Sequence, residues 1–285
     1  PGCGKTMLAE RVPTILPALT SDEKLELLKI LSLHGQISDR FLQEDERPFR
    51  APHHSASYAG LIGGGNGAVR VGEISLAHHG VLFMDELAEF RRDVLEVLRQ
   101  PLESGRIHLV RSGISLSYPA QFMLIAAMNP CRCGYYGHPK KACNCSMAMI
   151  EKYRQKISGP LLDRIDLHLE VMPIDHQMLF TESHAESSER IRERVLVARE
   201  RQTRRFEAAT CNARIAAQDI KQSCQLKESA DRLLKQYSVR QVLSPRAIHR
   251  ILKVSRTIAD LDNKDIIEET HIAEALHYRP ADQER

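Results

Sequence analysis

The chain has 285 residues, 42% of them hydrophobic, a formal net charge of +3 and no Trp. That length and apolar content support one large domain or two ordinary ones, no apolar run is long enough to cross a bilayer, and so small a net charge singles out no partner by itself. An aromatic content of 5% argues against an RNA-type base-stacking sheet, and seven cysteines, four of them between Cys131 and Cys145, fit a reducing cytoplasm rather than a disulfide framework.

The opening "PGCGKTMLAE" carries the second half of a phosphate-loop pattern, G-x-x-x-x-G-K-[ST]. Gly2 and Gly4 would let backbone N–H groups turn inward around Cys3. Lys5 would reach the β- and γ-phosphates of ATP, and the Thr6 hydroxyl would bind Mg²⁺. The helix expected from Thr6 would point its positive end at the phosphates. The first glycine and the strand feeding the loop are expected upstream of residue 1, so the sequence reads as a fragment. A Gly-rich turn before a helix is the alternative.

Helices are expected through about residue 42, with Ser21 or Asp22 as caps of the second and Gly35 as its stop. Residues 47–80 are rich in Gly, His and Ser, too glycine-rich for an ordinary core segment. "VLFMDEL" reads as a buried strand, "FRRDVLEVLRQPLESG" as a helix ending before Gly105, and "RIHLVRSGISLSY" as a β-hairpin. "QFMLIAAMNP" is a second buried strand, "MAMIEKYRQKIS" a helix and "RIDLHLEVMP" a third strand candidate. Beyond about residue 179 only helices are expected, the first carrying seven Arg against three Glu between Glu189 and Arg205. The pattern is an α/β core with a parallel sheet followed by a helical domain, divided as 1–178 and 179–285.

The strand ending in Asp85-Glu86 strengthens the nucleotide reading. It would deliver Asp85 beside Mg²⁺ and Glu86 as the base that polarises the attacking water. Asn129 ends the next strand, where it could orient that water. Arg164 follows an apolar stretch, and Arg246 begins a helix. Each is an ordinary turn, ion-pair or helix residue when taken alone; their order along the chain is the signal.

In that order, and in "RPFRAPHHSAS", "GEISLAHHGVLFMDEL", "LRQPLESG", "FMLIAAMNPCRCG", "GPLLDRIDLHLEV" and "LSPRAIHRILKVSRTIADL", the chain resembles AAA+ ATPases of the magnesium-chelatase-like group, most closely the ComM/YifB competence-protein family. The likeness covers nearly the whole chain. It implies a P-loop AAA+ αβα core with a helical lid. Lys5 and Thr6 would be Walker A, Asp85 and Glu86 Walker B, Asn129 sensor 1, Arg164 an arginine finger acting across a subunit interface and Arg246 sensor 2. It also implies a homo-oligomeric ring, a hexamer, and for the best-understood members a DNA branch-migration helicase in natural transformation. Cys3 stands where Ser is usual and Val71 where Pro usually precedes Gly-Glu-Ile-Ser; neither departure removes a catalytic group. The family's N-terminal Lon-protease-like domain would lie outside this chain.

By the same resemblance, residues 50–80 are a helix-2 insert and residues 106–118 a pre-sensor hairpin, both projecting into the ring pore. There Arg106, His108 and Arg111 would meet DNA phosphates, or the hairpin would pack on a neighbouring subunit. The Arg-rich helix reads as a solvated or intersubunit face rather than a DNA site. Cys131, Cys133, Cys143 and Cys145, in "CRCGYYGHPKKACNC", could close a tetrahedral Zn²⁺ site, although structural sites more often use C-x₂-C, and four free thiols are the alternative. His138 is a spare ligand. Two rival functions stand beside the DNA motor: a magnesium-chelatase-type motor acting on a protein partner, and a nucleotide-gated assembly module with little turnover.

Overall fold

A computed structural model of the chain describes residues 3–35, 37, 39–64, 70–111, 114–172, 185–206 and 210–279. By its internal packing the chain forms two compact units: Pro1–Arg164 with Val171–His184, and Ile165–Glu170 with Ala185–Arg285.

In the first unit, α1 (Lys5–Ile15) starts from Gly4, whose φ of 70° is the left-handed conformation that only glycine adopts without strain, and no side chain caps it. Helix α2 (Ser21–His34) is capped by Thr20, which accepts from the Glu23 amide while the Glu23 carboxylate accepts from the Thr20 amide. This reciprocal box puts Ser21 and Asp22, the expected caps, inside the first turn. Gly35 ends the helix with φ 74° as expected. A short α3 (Asp39–Gln43) and β1 (Phe49–Arg50) follow.

The Gly- and His-rich stretch departs from expectation. It folds into α4 (Tyr58–Ile62), a two-stranded hairpin of β2 (Gly63–Gly64) and β3 (Arg70–Val71), and α5 (Glu73–Leu76). Leu61, Ile62, Ile74, Leu76 and Ala77 from it are buried. The glycines do not exclude it from the core; they let it pack. A Cβ on Gly72 would sit 2.3 Å from the Gly63 nitrogen and the Leu61 carbonyl oxygen. The connection between β2 and β3, at 65–69, lies outside the described residues.

Strand β4 (Val81–Met84) is buried along its whole length. It pairs in parallel with β1 on one side and with β7 (Met123–Ala126) on the other, so the third strand of this sheet is β1 and not the candidate "RIDLHLEVMP". Residues 165–172 form no strand; Leu169 in that segment is 70% exposed. Its alternating pattern suits a strand, but a strand exists only against a backbone partner, and none is present among the described residues. Strand β7 lies at the edge of this sheet among the described residues and is only partly buried.

The single helix expected at 90–104 is two, α6 (Arg92–Val97) and α7 (Arg99–Ser104). Pro101 has no N–H to donate to the Val97 carbonyl, and the ladder breaks at Leu98. Strands β5 (Arg106–Arg111) and β6 (Ile114–Pro119) form the expected antiparallel hairpin, in register from Arg106 opposite Pro119 to Arg111 opposite Ile114; Ser112-Gly113 lies outside the described residues. Helix α8 (Met147–Arg154) is capped by Ser146, and α9 is a single turn (Gly159–Leu162). The core of this unit gathers Leu61, Ile74, Leu82, Met84, Leu95, Leu98 and Leu161.

The second unit is helical: α10 (Ser188–Phe206), α11 (Ile220–Ser223), α12 (Glu228–Arg240), α13 (Pro245–Leu261) and α14 (Glu269–His277). Leu234, Ile251, Ile267 and Ile272 form its centre. Not all of the α10 arginines face solvent. Arg205 grips the fully buried Asp260 at 2.5 Å, with Arg256 3.1 Å and Arg201 3.8 Å from the same carboxylate, and Asn212 donates to it at 2.8 Å. No helix among the described residues is long and apolar enough to cross a membrane.

Candidate functional site

Burial of β4 carries Asp85 to the end of the sheet, and Gly4 turns the chain so that Lys5 and Thr6 open α1 beside it. The Thr6 hydroxyl donates to Asp85 Oδ2 at 2.6 Å. Lys5 Nζ donates to Asn129 Oδ1 at 3.0 Å and to the Met128 carbonyl at 2.9 Å. Residues from three separate segments, 79 and 124 positions apart, thus converge at the uncapped end of α1, where free amides and the helix dipole favour an anion. Cys3 adjoins this turn; Gly2 lies outside the described residues.

Glu86 follows directly. Its amide donates to Asp85 Oδ1 at 2.8 Å, and its backbone is left-handed at φ 50°, unusual for a non-glycine residue. Its carboxylate is 3.2 Å from His54 Nδ1. The sequence flagged the "APHHSAS" motif but assigned His54 no role, because nothing in the spacing says that residue 54 meets residue 86.

The two arginines lie in different units. Arg164 follows the single turn of α9. It donates to Glu103 Oε2 and to the Pro160 carbonyl, each at 2.6 Å, and its side chain is only 12% exposed. Arg246 belongs to the second unit, in the first turn of α13, where the capping Ser244 hydroxyl accepts the Ala247 amide. On the hairpin, Arg106 donates to Ser117 Oγ at 2.9 Å, and Val110 near its tip is strongly exposed.

The donor chemistry fits Mg²⁺ with ATP. Thr6 and Asp85 bring a hydroxyl and a carboxylate oxygen together, the hard ligands that Mg²⁺ prefers, beside the Lys5 cation.

The four expected cysteines also converge. All four sulfurs lie within 4.8 Å of one another, and three pairs are 3.3, 3.5 and 3.7 Å apart. A tetrahedral zinc–thiolate centre with Zn–S of about 2.3 Å needs sulfurs roughly 3.8 Å apart, so the set fits with small adjustment. Amides of Tyr136 and Cys145 point at Cys131 and Cys143 sulfurs, both at 3.4 Å. Backbone donors at Tyr135 and Asn144, with the Cys131 thiol, pull the Cys133 thiol down to about 6. At Cys143 the Cys145 amide acts downward, but desolvation and the neighbouring thiols outweigh it and push the group up to about 12. Crowded sulfurs resist a second negative charge unless a cation joins them.

Glu26, His78 and His79 also come together. His78 Nδ1 accepts the Gln121 amide at 3.0 Å, so its Nε2 carries the proton and donates to Glu26 at 3.0 Å. Those hydrogen bonds from His78 and His79 hold the Glu26 carboxyl below its usual range. This is a clamp between α2 and the start of β4, with the His78 nitrogens already committed.

Residues 1–179 match the family model described as magnesium chelatase, subunit ChlI, and residues 185–279 match that of the ChlI C-terminal region. The chain is 45% identical to the uncharacterized protein YifB of Escherichia coli over 99% of its own length and 55% of that protein's. It is 46% identical to the competence protein ComM of Haemophilus influenzae over 98% of its length and 54% of that protein's. Against the magnesium-chelatase 67 kDa subunit of Heliobacterium mobile it is 27% identical over 64% of its length and 29% of that protein's. The chain thus spans about half the length of the curated YifB and ComM relatives it matches.

Proposed function

The chain belongs to the magnesium chelatase ChlI family of AAA+ proteins, and on that premise we propose that it is the ATP-hydrolysing core of a ring motor that moves DNA in transformation or recombination. The observation that carries the ATPase reading is the convergence of Lys5, Thr6, Asp85 and Asn129 at one helix terminus. A protein that used these residues only for packing would not gather a cation, a hydroxyl, a carboxylate and an amide beside unpaired helix amides.

In this reading Lys5 neutralises phosphate charge and exchanges its Asn129 and Met128 partners for phosphate oxygens. Thr6 and Asp85 would hold Mg²⁺, which would supply charge neutralisation at the transferred phosphoryl group. Glu86 takes the proton of the attacking water, Asn129 aligns that water, and Gly2, Cys3 and Gly4 line the phosphate loop. Arg164 serves a neighbouring subunit in a hexameric ring once its pair with Glu103 opens, and Arg246 acts as the lid's sensor. Arg106, His108 and Arg111 of the β5–β6 hairpin meet DNA phosphates. Cys131, Cys133, Cys143 and Cys145 would hold one structural Zn²⁺, which would supply order to the segment that follows Asn129; four thiolates leave no open position for substrate.

The DNA partner rests on the likeness to a competence protein, and a chelatase-type motor would answer to a protein instead. The deciding test is ATPase activity of the full-length protein alone, with single-stranded DNA and with forked DNA. Turnover that rises with DNA supports the proposal. Turnover indifferent to DNA overturns the DNA assignment, and no turnover under any of these conditions overturns the ATPase.

A further inference from the structure

We propose that His54 is a positioning residue for Glu86: the pairing of His54 Nδ1 with the Glu86 carboxylate, 3.2 Å apart, holds that carboxylate where it can receive the proton of the attacking water. This rests on the reading of Glu86 as the base. The residue lies in the "APHHSAS" motif, to which the nucleotide site otherwise gives no task.

Three observations support it. First, Glu86 needs a restraint. Its side chain is 52% exposed, and a glutamate at such a site samples several rotamers, whereas proton abstraction requires one geometry. Its left-handed backbone sets where the side chain departs from the chain, but leaves its own torsions free. His54 Nδ1 supplies that restraint from a segment distant in sequence.

Second, His54 is braced. Its ring lies tilted against that of His53, with centroids 4.0 Å apart, and meets Phe90 edge to face at 6.4 Å. Phe90 is buried in the core. His53 Nδ1 accepts the Ser55 amide at 3.3 Å, and the His53 carbonyl accepts the Ala56 amide at 2.8 Å. Two flanking residues of the motif thus form a tight turn that fixes the ring presenting Nδ1. A surface histidine that met Glu86 by chance would not be held by two other rings.

Third, Glu86 is tied by its backbone to the nucleotide group: its amide donates to Asp85 Oδ1 at 2.8 Å, and the other oxygen of the same carboxylate accepts the Thr6 hydroxyl at 2.6 Å.

The test uses the full-length protein and compares His54→Ala, His54→Asn, Glu86→Gln and the Glu86→Gln, His54→Ala double variant, with nucleotide affinity measured by a fluorescent ATP analogue. Loss of the restraint should lower kcat roughly 10- to 100-fold, with KM and nucleotide affinity unchanged. His54→Asn, whose amide N–H can replace Nδ1–H, should recover most of the loss. In the Glu86→Gln background His54→Ala should cost nothing further, because the group it positions is gone. The proposal is overturned if His54→Ala keeps kcat within about twofold or raises it, if the loss is confined to KM, or if it persists undiminished in the Glu86→Gln background. Should His54→Ala fail to fold, His54→Phe, which keeps a ring beside His53 and Phe90 but offers no N–H, takes its place: a kcat loss of roughly 10-fold or more that His54→Asn recovers upholds the proposal, and kcat within about twofold of wild type overturns it. A Glu86→Gln variant as active as wild type is a different failure: it removes the base itself, and the role of His54 with it.

Discussion

Replacing Glu86 by Gln is the sharpest perturbation of the site, because the structure isolates the one property that changes. The backbone conformation, φ 50°, and the Glu86 N–H bond to Asp85 Oδ1 belong to the main chain and survive. The Gln amide oxygen can still accept from His54 Nδ1. The side chain is 52% exposed, so the substitution leaves the core untouched, and stability should move by no more than about 0.5 kcal/mol. What disappears is a carboxylate able to take a proton. General-base contributions of about 10²- to 10⁴-fold correspond to roughly 2.7–5.4 kcal/mol of barrier, so kcat should fall by that factor. ATP affinity should hold, because Lys5, Thr6 and Asp85 do the binding in this scheme. Phosphate release under saturating ATP, with affinity from equilibrium binding, measures both quantities. A variant that turns over at the wild-type rate, or one that loses binding and turnover in proportion, would refute the reasoning.

Four further outcomes are expected. Lys5→Ala should weaken nucleotide binding itself, read by titration of the full-length protein; unchanged affinity would count against the phosphate loop. Mixed rings of Arg164→Ala and Lys5→Ala subunits should regain part of the activity that each lacks alone, since a trans arginine completes a neighbour's site, and an absence of recovery at every ratio with assembly confirmed argues for a cis role. Protein purified without chelator should carry one zinc per chain by elemental analysis, falling to near zero in a Cys133→Ser, Cys143→Ser variant; metal content below about a tenth of an equivalent in the wild type would sink the site. Asp260→Ala should destabilise the helical unit by about 3–5 kcal/mol, seen as a lowered denaturation midpoint, because it strands the fully buried Arg256 and its neighbour Arg205 without a counter-charge.

Much of this protein is legible in one dimension because its signals are local. An apolar run ended by Asp85-Glu86, a Gly-Lys-Thr helix start, a Ser-Gly hairpin tip and helices of 3.6-residue period are read within a few residues of themselves, and β4, the β5–β6 hairpin and the helical second unit follow them. The cysteine spacing named the four sulfurs that converge. Tertiary structure alone decided whatever depends on a partner distant in sequence. Residues 165–172 have the alternation of a strand, yet form none among the described residues because pairing is a property of two segments. Phe49–Arg50 has no such pattern, yet joins the sheet because β4 lies beside it. Glycines that read as a reason to leave the core instead let α4 and the start of β2 approach within reach of Gly72. His54 and Glu103 were invisible for the same reason: each takes its meaning from a charge 32 or 61 residues away, and only folding brings the two ends of such a pair within the few ångströms over which a hydrogen bond or ion pair acts.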